Sequence, residues 1–284
     1  MRHPDQVEVA LLHPEEKMRI SSLNPLIPIL MYHQVTPRSP PAFRKYAVTP
    51  KAFAAQMDWL ARAGYVTINL DALLSYRSDQ GMLPSRPVII TFDDGFQDCV
   101  EHAVPVLHTH GFTAIFYLVA GLVGKTSRWL LPERGVELPL MDWTAARRLQ
   151  AAGFQCGSHA MSHPRLSDLS PAVCHEELLW SRRLLEDNLG HEVKHLAYPF
   201  GSFNERVRAI VAETGYCSAC SVRIGLSTAD DDPLALPRVP VSGQDSLLDF
   251  ICRLRTARSF GEFMRGKVRA LLRHWHSSGA QATR

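Results

Sequence analysis

No stretch of this 284-residue chain approaches the ~18–20 uninterrupted apolar residues that a bilayer-spanning helix needs, which excludes a multi-pass membrane protein. Net charge is also nearly absent. Thirty-one basic side chains against 28 acidic ones leave +3, so the total gives no reason to expect a nucleic-acid partner. Cysteine is sparse and scattered, at Cys99, Cys156, Cys174, Cys217, Cys220 and Cys252, which is not the spacing of a disulfide framework. Cys217-x-x-Cys220 lacks the second pair that a zinc site needs, and its apolar surroundings make buried thiols the expectation. The N-terminal region lacks a secretory leader pattern: the run from Val7 to Leu12 is broken by Glu8 and followed by His13-Pro14-Glu15-Glu16-Lys17. A cytoplasmic protein is the expectation. What the chain does have is 46% hydrophobic against 21% charged residues, enough for a substantial core and too apolar for general disorder.

Residues 1–24 show no sustained periodicity and read as a loosely ordered extension. From there, short apolar runs alternate with amphipathic segments. Strands are expected at 27–32, 65–68, 88–92, 113–118, 154–157, 195–198 and 216–219, and helices at 50–63, 71–76, 97–110, 143–152, 171–189 and 204–214. Thr49-Pro50 and Ser170-Pro171 each set a capping hydroxyl before a proline at the first helical position. Gly64, Gly111, Gly153 and Gly215 close helical patterns and precede an aromatic that opens the next apolar run. These junctions mark strand–helix–strand units, and about seven of them over roughly 230 residues fit an α/β barrel. No G-x-G-x-x-G follows a strand, so an open dinucleotide-binding sheet has no positive support. Residues 121–142 form a connection of a length that is uncommon unless functional.

Four strand ends carry chemistry. Val88-Ile89-Ile90-Thr91-Phe92-Asp93-Asp94-Gly95 is an apolar strand ending in two carboxylates. Adjacent side chains there point in different directions, so one can ligate a metal while the other handles a proton; helix-dipole complementation is the plainer account of the pair alone. A second strand breaks into Ser158-His159-Ala160-Met161-Ser162-His163-Pro164. Two imidazoles four residues apart can converge on one ion, and Pro164 keeps His163 out of the helical region, so the pair belongs to a loop. One carboxylate with two imidazoles makes a three-ligand site with positions open to water and substrate. His195-Leu196-Ala197-Tyr198-Pro199-Phe200-Gly201 offers a rigid turn whose Phe200 amide can serve as an oxyanion donor, or be an ordinary strand-to-loop turn. Leu30-Met31-Tyr32-His33-Gln34-Val35 puts His33 at the end of the first strand.

The order T-F-D-D-G, S-H-x-x-S-H-P and Y-P-F-G resembles the polysaccharide deacetylases of carbohydrate esterase family 4, the nodulation-factor deacetylase (NodB) homology domain, over roughly residues 26–250. The resemblance implies a distorted (β/α)7-type barrel and metal-dependent removal of acetyl groups from N-acetylated sugars. By position it implies Asp94, His159 and His163 as metal ligands, Asp93 as general base, and Phe200 as donor of a backbone N–H to the oxyanion. Two departures stand out. The family often places Arg in the third motif, where this chain has Ala197; Arg238 is the replacement expected, because a buried base needs a cationic or hydrogen-bonding partner. The late L-x-L-x-H motif with the general-acid histidine is missing. The N-terminal I-L-M-Y-H-Q-V resembles instead the subgroup related to exopolysaccharide N-deacetylases, which implies His33 as general acid.

The implied cofactor is one divalent ion, zinc by default, with cobalt, nickel or iron as alternatives. The implied partner is an N-acetylated carbohydrate, with Tyr198, Trp129 and Trp143 as candidate sugar contacts and core or loop anchoring as their other reading. Relatives acting on non-sugar amides or formamido lipid-linked sugars give a second enzymatic reading, and a sugar-binding module without catalysis gives a third. The near-neutral total also hides an asymmetry. Residues 251–284 hold eight basic side chains against Glu262, so that segment carries +7 and the remainder −4. The domain boundaries expected are 1–24, 25–252 and a basic amphipathic tail at 253–284. The tail's stripe is Phe260, Phe263, Met264, Val268, Leu271, Leu272 and Trp275, fit for an anionic membrane surface or for packing on the barrel.

Overall fold

The protein is described by a computed structural model covering residues 25–78 and 80–266. Among these residues, seven parallel strands close into a ring: β1 (Ile29–Tyr32), β2 (Pro87–Phe92), β3 (Ile115–Leu118), β4 (Gln155–Ser158), β5 (His195–Ala197), β6 (Ser218–Ile224) and β7 (Leu236–Pro240). Each pairs with its successor in the chain, and β1 pairs with both β2 and β7, in registers Ile29↔Ile89 and Leu30↔Val239 that complete the barrel. Helices flank the ring: α1 (Pro50–Arg62), α2 (Leu70–Arg77), α3 (Gln97–His102), α4 (Val104–Thr109), α5 (Leu130–Arg134), α6 (Trp143–Ala151), α7 (Pro171–Leu189), α8 (Glu205–Glu213) and α9 (Leu247–Thr256). The Thr49 and Ser170 side chains accept from Ala52 N–H and Val173 N–H, the capping that the two Thr/Ser-Pro pairs predicted.

Strand residues alternate between two apolar environments, as a period of two requires. One set, including Tyr32, Ile90, Phe92 and Phe116, packs outward under the helices. The other fills the interior with Ile29, Ile89, Ile115, Tyr117, Cys220 and Leu236, joined by Leu70 and Leu73 of α2. Gly157 is required there. A Cβ on it would sit 2.6 Å from the Tyr117 ring, so the glycine makes room for that ring inside the barrel.

Several expectations need correction. The segment 65–68 forms only a short strand at Val66–Thr67, paired on the outer edge of β2 rather than in the ring. The seventh barrel strand is β7, whose Pro237, Arg238 and Pro240 argue against a strand in sequence. The expected helix 97–110 is two, broken at Ala103, with Pro105 opening α4. The connection 121–142 is not bare loop. It contains α5 and is cross-tied by Ser127 N–H to Leu138 O and Leu138 N–H to Ser127 Oγ, both 2.9 Å. Cys220 is buried but Cys217 is exposed, so buried thiols describe only one member of that pair. The boundary at 252/253 falls inside α9, which buries Phe250 and Leu254 on either side of it. A helical run starts at Phe260 and reaches 266, while the remainder of the apolar stripe, from Val268, lies outside the described residues, as do residues 1–24.

Candidate active site

The carboxyl ends of β1, β2, β4, β5 and β7 converge on a cleft of about 770 Å³. Asp93 and Asp94 follow β2 directly and are both buried. Asp94 adopts φ 73°, a left-handed conformation costly for a side chain with a Cβ, and this turn sends the two carboxylates in different directions. Asp94 Oδ1 lies 3.4 Å from His159 Nε2 and 3.2 Å from His163 Nε2. The loop between the histidines is non-helical, with φ 61° at Ala160 and 64° at His163. Its partner is Glu177 of α7, which accepts from Met161 N–H (3.0 Å), Ser162 N–H (2.9 Å) and Ser162 Oγ (2.6 Å). On the other side, Ala120 N–H and Gly121 N–H donate to the Ala160 and Met161 carbonyls. The position of Glu177 was not legible in sequence, since nothing local distinguishes it from the other acids of its helix.

This trio fits a divalent metal ion. Its donor atoms lie within 4.8 Å of one another, all from buried residues. The carboxylate–imidazole separations exceed the roughly 2.7–2.9 Å of a charge-assisted hydrogen bond. They match the ~3.3–3.4 Å edge of a tetrahedron whose metal–ligand bonds are about 2.0–2.1 Å. His159 Nδ1 is 2.7 Å from the Ala197 carbonyl oxygen, which fixes the ring so that Nε2 faces Asp94. The third-motif Ala197 therefore contributes through its backbone. Burial opposes ionisation of Asp94, but its contacts with His159 and His163 outweigh that cost and keep the carboxyl well below its ordinary range. Burial pushes His163 downward, toward the neutral imidazole that metal ligation requires.

Asp93 faces a different environment. Arg238, fully buried, grips it with a fork, Nη1 to Oδ1 and Nη2 to Oδ2, both 2.7 Å. Arg238 Nε donates to the Ser221 carbonyl at 2.8 Å, and Nη1 reaches Thr91 Oγ1 at 3.2 Å. The β6–β7 register shifts between Leu236 and Arg238, and the Ser221 carbonyl is taken up by the guanidinium. Burial works against the ionised form of Asp93; the Arg238 cation outweighs it and lowers the carboxyl below its ordinary value.

His33 lines the cleft beside Tyr46, ring centres 5.1 Å apart. Burial lowers its pKa, with Asp94 and Asp93 partly offsetting that. Phe200, at φ 56°, packs its ring edge-on to His163 at 4.5 Å, and Gly201 follows because a Cβ there would meet Val222 at 2.2 Å. Trp129 stacks on the other side of His163, ring centres 4.4 Å apart, and so supports a ligand as much as it faces the cleft. Tyr198 borders the cleft but is fully buried and donates its hydroxyl to the Leu234 carbonyl at 2.8 Å, which removes that group from substrate contact. Trp143 is a correction: it opens α6 and packs against the outer core, away from the cleft lining. Tyr46, Lys45 and Arg134 line the cleft and were not singled out in sequence, because nothing there shows that 41–48 and 130–134 meet.

Comparison with known proteins gives one family. The profile described as polysaccharide deacetylase matches residues 80–219. YxkH of Bacillus subtilis, named for that same family, is 29% identical over 218 residues, covering 76% of this chain and 71% of its own. A poly-beta-1,6-N-acetyl-D-glucosamine N-deacetylase of Staphylococcus epidermidis is 24% identical over 233 residues, covering 75% and 78%. In structure, the deacetylase PplD of Streptococcus pyogenes superposes with a TM-score of 0.71 at 24% identity, over 82% of this chain and 99% of its own, a likeness of fold. Residues 80–219, which hold both aspartates and both histidines, carry the match to the polysaccharide deacetylase family, on a barrel whose fold PplD shares.

Proposed function

We propose that this chain is a metal-dependent hydrolase that removes N-acetyl groups from an N-acetylated sugar or polysaccharide. The observation that carries the reading is the buried Asp94–His159–His163 trio at the foot of the cleft, with the Arg238-paired Asp93 beside it. These three side chains would hold the ion, with zinc the proposed identity and cobalt, nickel or iron the alternatives that metal analysis separates. When bound, such an ion acidifies water and polarises a carbonyl. Asp93 takes the proton of the attacking water, and the Arg238 fork holds its carboxylate in place for that transfer. The Phe200 N–H donates to the developing oxyanion. His33, at the end of the neighbouring strand β1, protonates the departing amine. Acetate and a free amino sugar result, with no covalent intermediate and no role for a cysteine.

The test is acetate release from N-acetylated chitooligosaccharides. Asp93→Asn and His33→Ala should each lower turnover by roughly 10²–10⁴-fold while the metal stays bound. A His33→Ala variant with near wild-type turnover would remove His33 from the reaction.

A further inference from the structure

The charges around the cleft are not equally committed. On the α9 side, Asp245 is paired to Arg253 at 2.9 Å, and Asp249 accepts from the Ser246 hydroxyl and from Phe260 N–H. Glu262 accepts from Ser259 N–H at 2.8 Å and lies 3.7 Å from Arg253. These acids cap helices and tie one segment to the next. The rim at residues 42–46 and Arg134, joined to that side by Gly243 N–H donating to the Lys45 carbonyl at 2.9 Å, is different. Arg134 donates to the Tyr46 hydroxyl at 2.8 Å and to the Ala42 carbonyl at 3.4 Å, and its guanidinium lies 4.6 Å from the centre of the Tyr46 ring. Lys45 has its ammonium 5.9 Å from the same ring. Among the described residues neither cation is ion-paired, and both line the cleft.

Tyr46 links this rim to the chemistry. Phe43 packs at 5.1 Å from its ring, Arg134 stacks on it, and His33 approaches it edge-on at 5.1 Å. The tyrosine is thus a strut that aims the guanidinium rather than an open face for a sugar. An oriented, half-buried arginine held only by neutral groups, with a lysine beside it, is the arrangement that recognises a carboxylate or phosphate. We propose that Lys45 and Arg134 form a subsite for an anionic group carried by the substrate, next to the N-acetylated sugar whose amine faces His33. This rests on the deacetylase reading of the same cleft. It narrows the substrate to a glycan bearing acidic residues or a phosphate-linked sugar.

The test compares a neutral N-acetylglucosamine tetrasaccharide with a tetrasaccharide alternating N-acetylglucosamine and glucuronate, and with N-acetylglucosamine 1-phosphate. Deacetylation and equilibrium binding are both measured, on wild type, Arg134→Gln and Lys45→Gln. Arg62→Gln, an exposed change at the far end of α1, serves as the charge-matched control. Wild type should prefer an anionic ligand over the neutral one, by kcat/KM and by affinity, and the preference should shrink with added salt. Arg134→Gln should cut the anionic-to-neutral ratio about 10-fold, the scale of a charged hydrogen bond, and Lys45→Gln should cut it by a smaller factor. Which anionic ligand responds separates carboxylate from phosphate. An equal loss on neutral and anionic ligands, or a ratio that follows Arg62→Gln, overturns the subsite. If wild type turns over none of the compounds, the deacetylase reading fails instead, and the binding ratios decide the subsite alone.

Discussion

Replacing Arg238 by methionine keeps an unbranched apolar stem and deletes the guanidinium with its charge from a site with no exposed surface. The Asp93 carboxylate then loses both forked hydrogen bonds, and the Ser221 carbonyl loses its Nε donor. Thr91 Oγ1 loses a contact as well, but still donates to the Leu30 carbonyl at 2.8 Å. Breaking a buried pair from one side costs about 3–5 kcal/mol, and an orphaned carbonyl adds about 1–3 kcal/mol. The expected loss is about 4–8 kcal/mol, a large share of the stability of a typical domain. Arg238→Lys keeps the charge without the fork and should lose roughly half as much. Because most of the cost is an uncompensated anion, adding Asp93→Leu to Arg238→Met should recover at least ~2 kcal/mol relative to Arg238→Met alone. Urea unfolding at pH 7, followed by the fluorescence of the five tryptophans and by circular dichroism, measures all five proteins, Asp93→Leu alone included, in one buffer. A cost below ~1 kcal/mol for Arg238→Met, or additive single and double changes within ~0.5 kcal/mol, would refute the claim that the pair is mutually required.

Glu177→Gln leaves one acceptor oxygen and an amide where a carboxylate now receives three donors, loosening the loop that carries His163; zinc affinity should drop about 10-fold, read by competition with a chelator. His159→Ala or His163→Ala should abolish metal retention, so that zinc should raise the Tm of wild type and leave that of either variant unchanged. Asp98, whose carboxyl burial pushes up to about 7 from 3.8 despite hydrogen bonds from Gln34 and Cys99, predicts a pH signature. Its folded pKa exceeds the unfolded value, so its contribution is intact below pH 4, is lost between pH 4 and 7, and is level above. The slope is at most about 1.4 kcal/mol per unit, and urea midpoints of Asp98→Asn should lack it. An unchanged slope in that variant assigns the signature to another group.

Six of the seven barrel strands were legible because each is an apolar run bounded by turn residues. The seventh was hidden by its own composition. Leu236-Pro237-Arg238-Val239-Pro240 violates strand composition at three of five positions, yet both prolines sit in a ring whose neighbours hold the register, and the arginine is where Asp93 is gripped. Ser246-x-x-Asp249 before Leu247, Phe250 and Leu254 is a capping box that marks α9, a signal masked by reading the following arginines as a tail. At the site, Asp93, Asp94, His159 and His163 lie at strand ends, so sequence alone placed them together. Glu177, Tyr46 and Arg134 act from elements that meet only through the packing of α5, α7 and the β1–α1 connection. Local patterns carry no record of that. Trp143 shows the converse limit: helical amphipathicity and loop proximity could not tell an outward core anchor from a cleft aromatic.

The Tyr117 ring over Gly157, with its hydroxyl 3.4 Å from Cys220 Sγ, stoppers the barrel beneath the site, and Arg238 lies across the space above it. Side chains thus fill the barrel below the carboxylates, so substrate meets them from the cleft side. In the proposed reaction both products leave through the cleft that admits the substrate, and acetate held at the same trio should inhibit competitively.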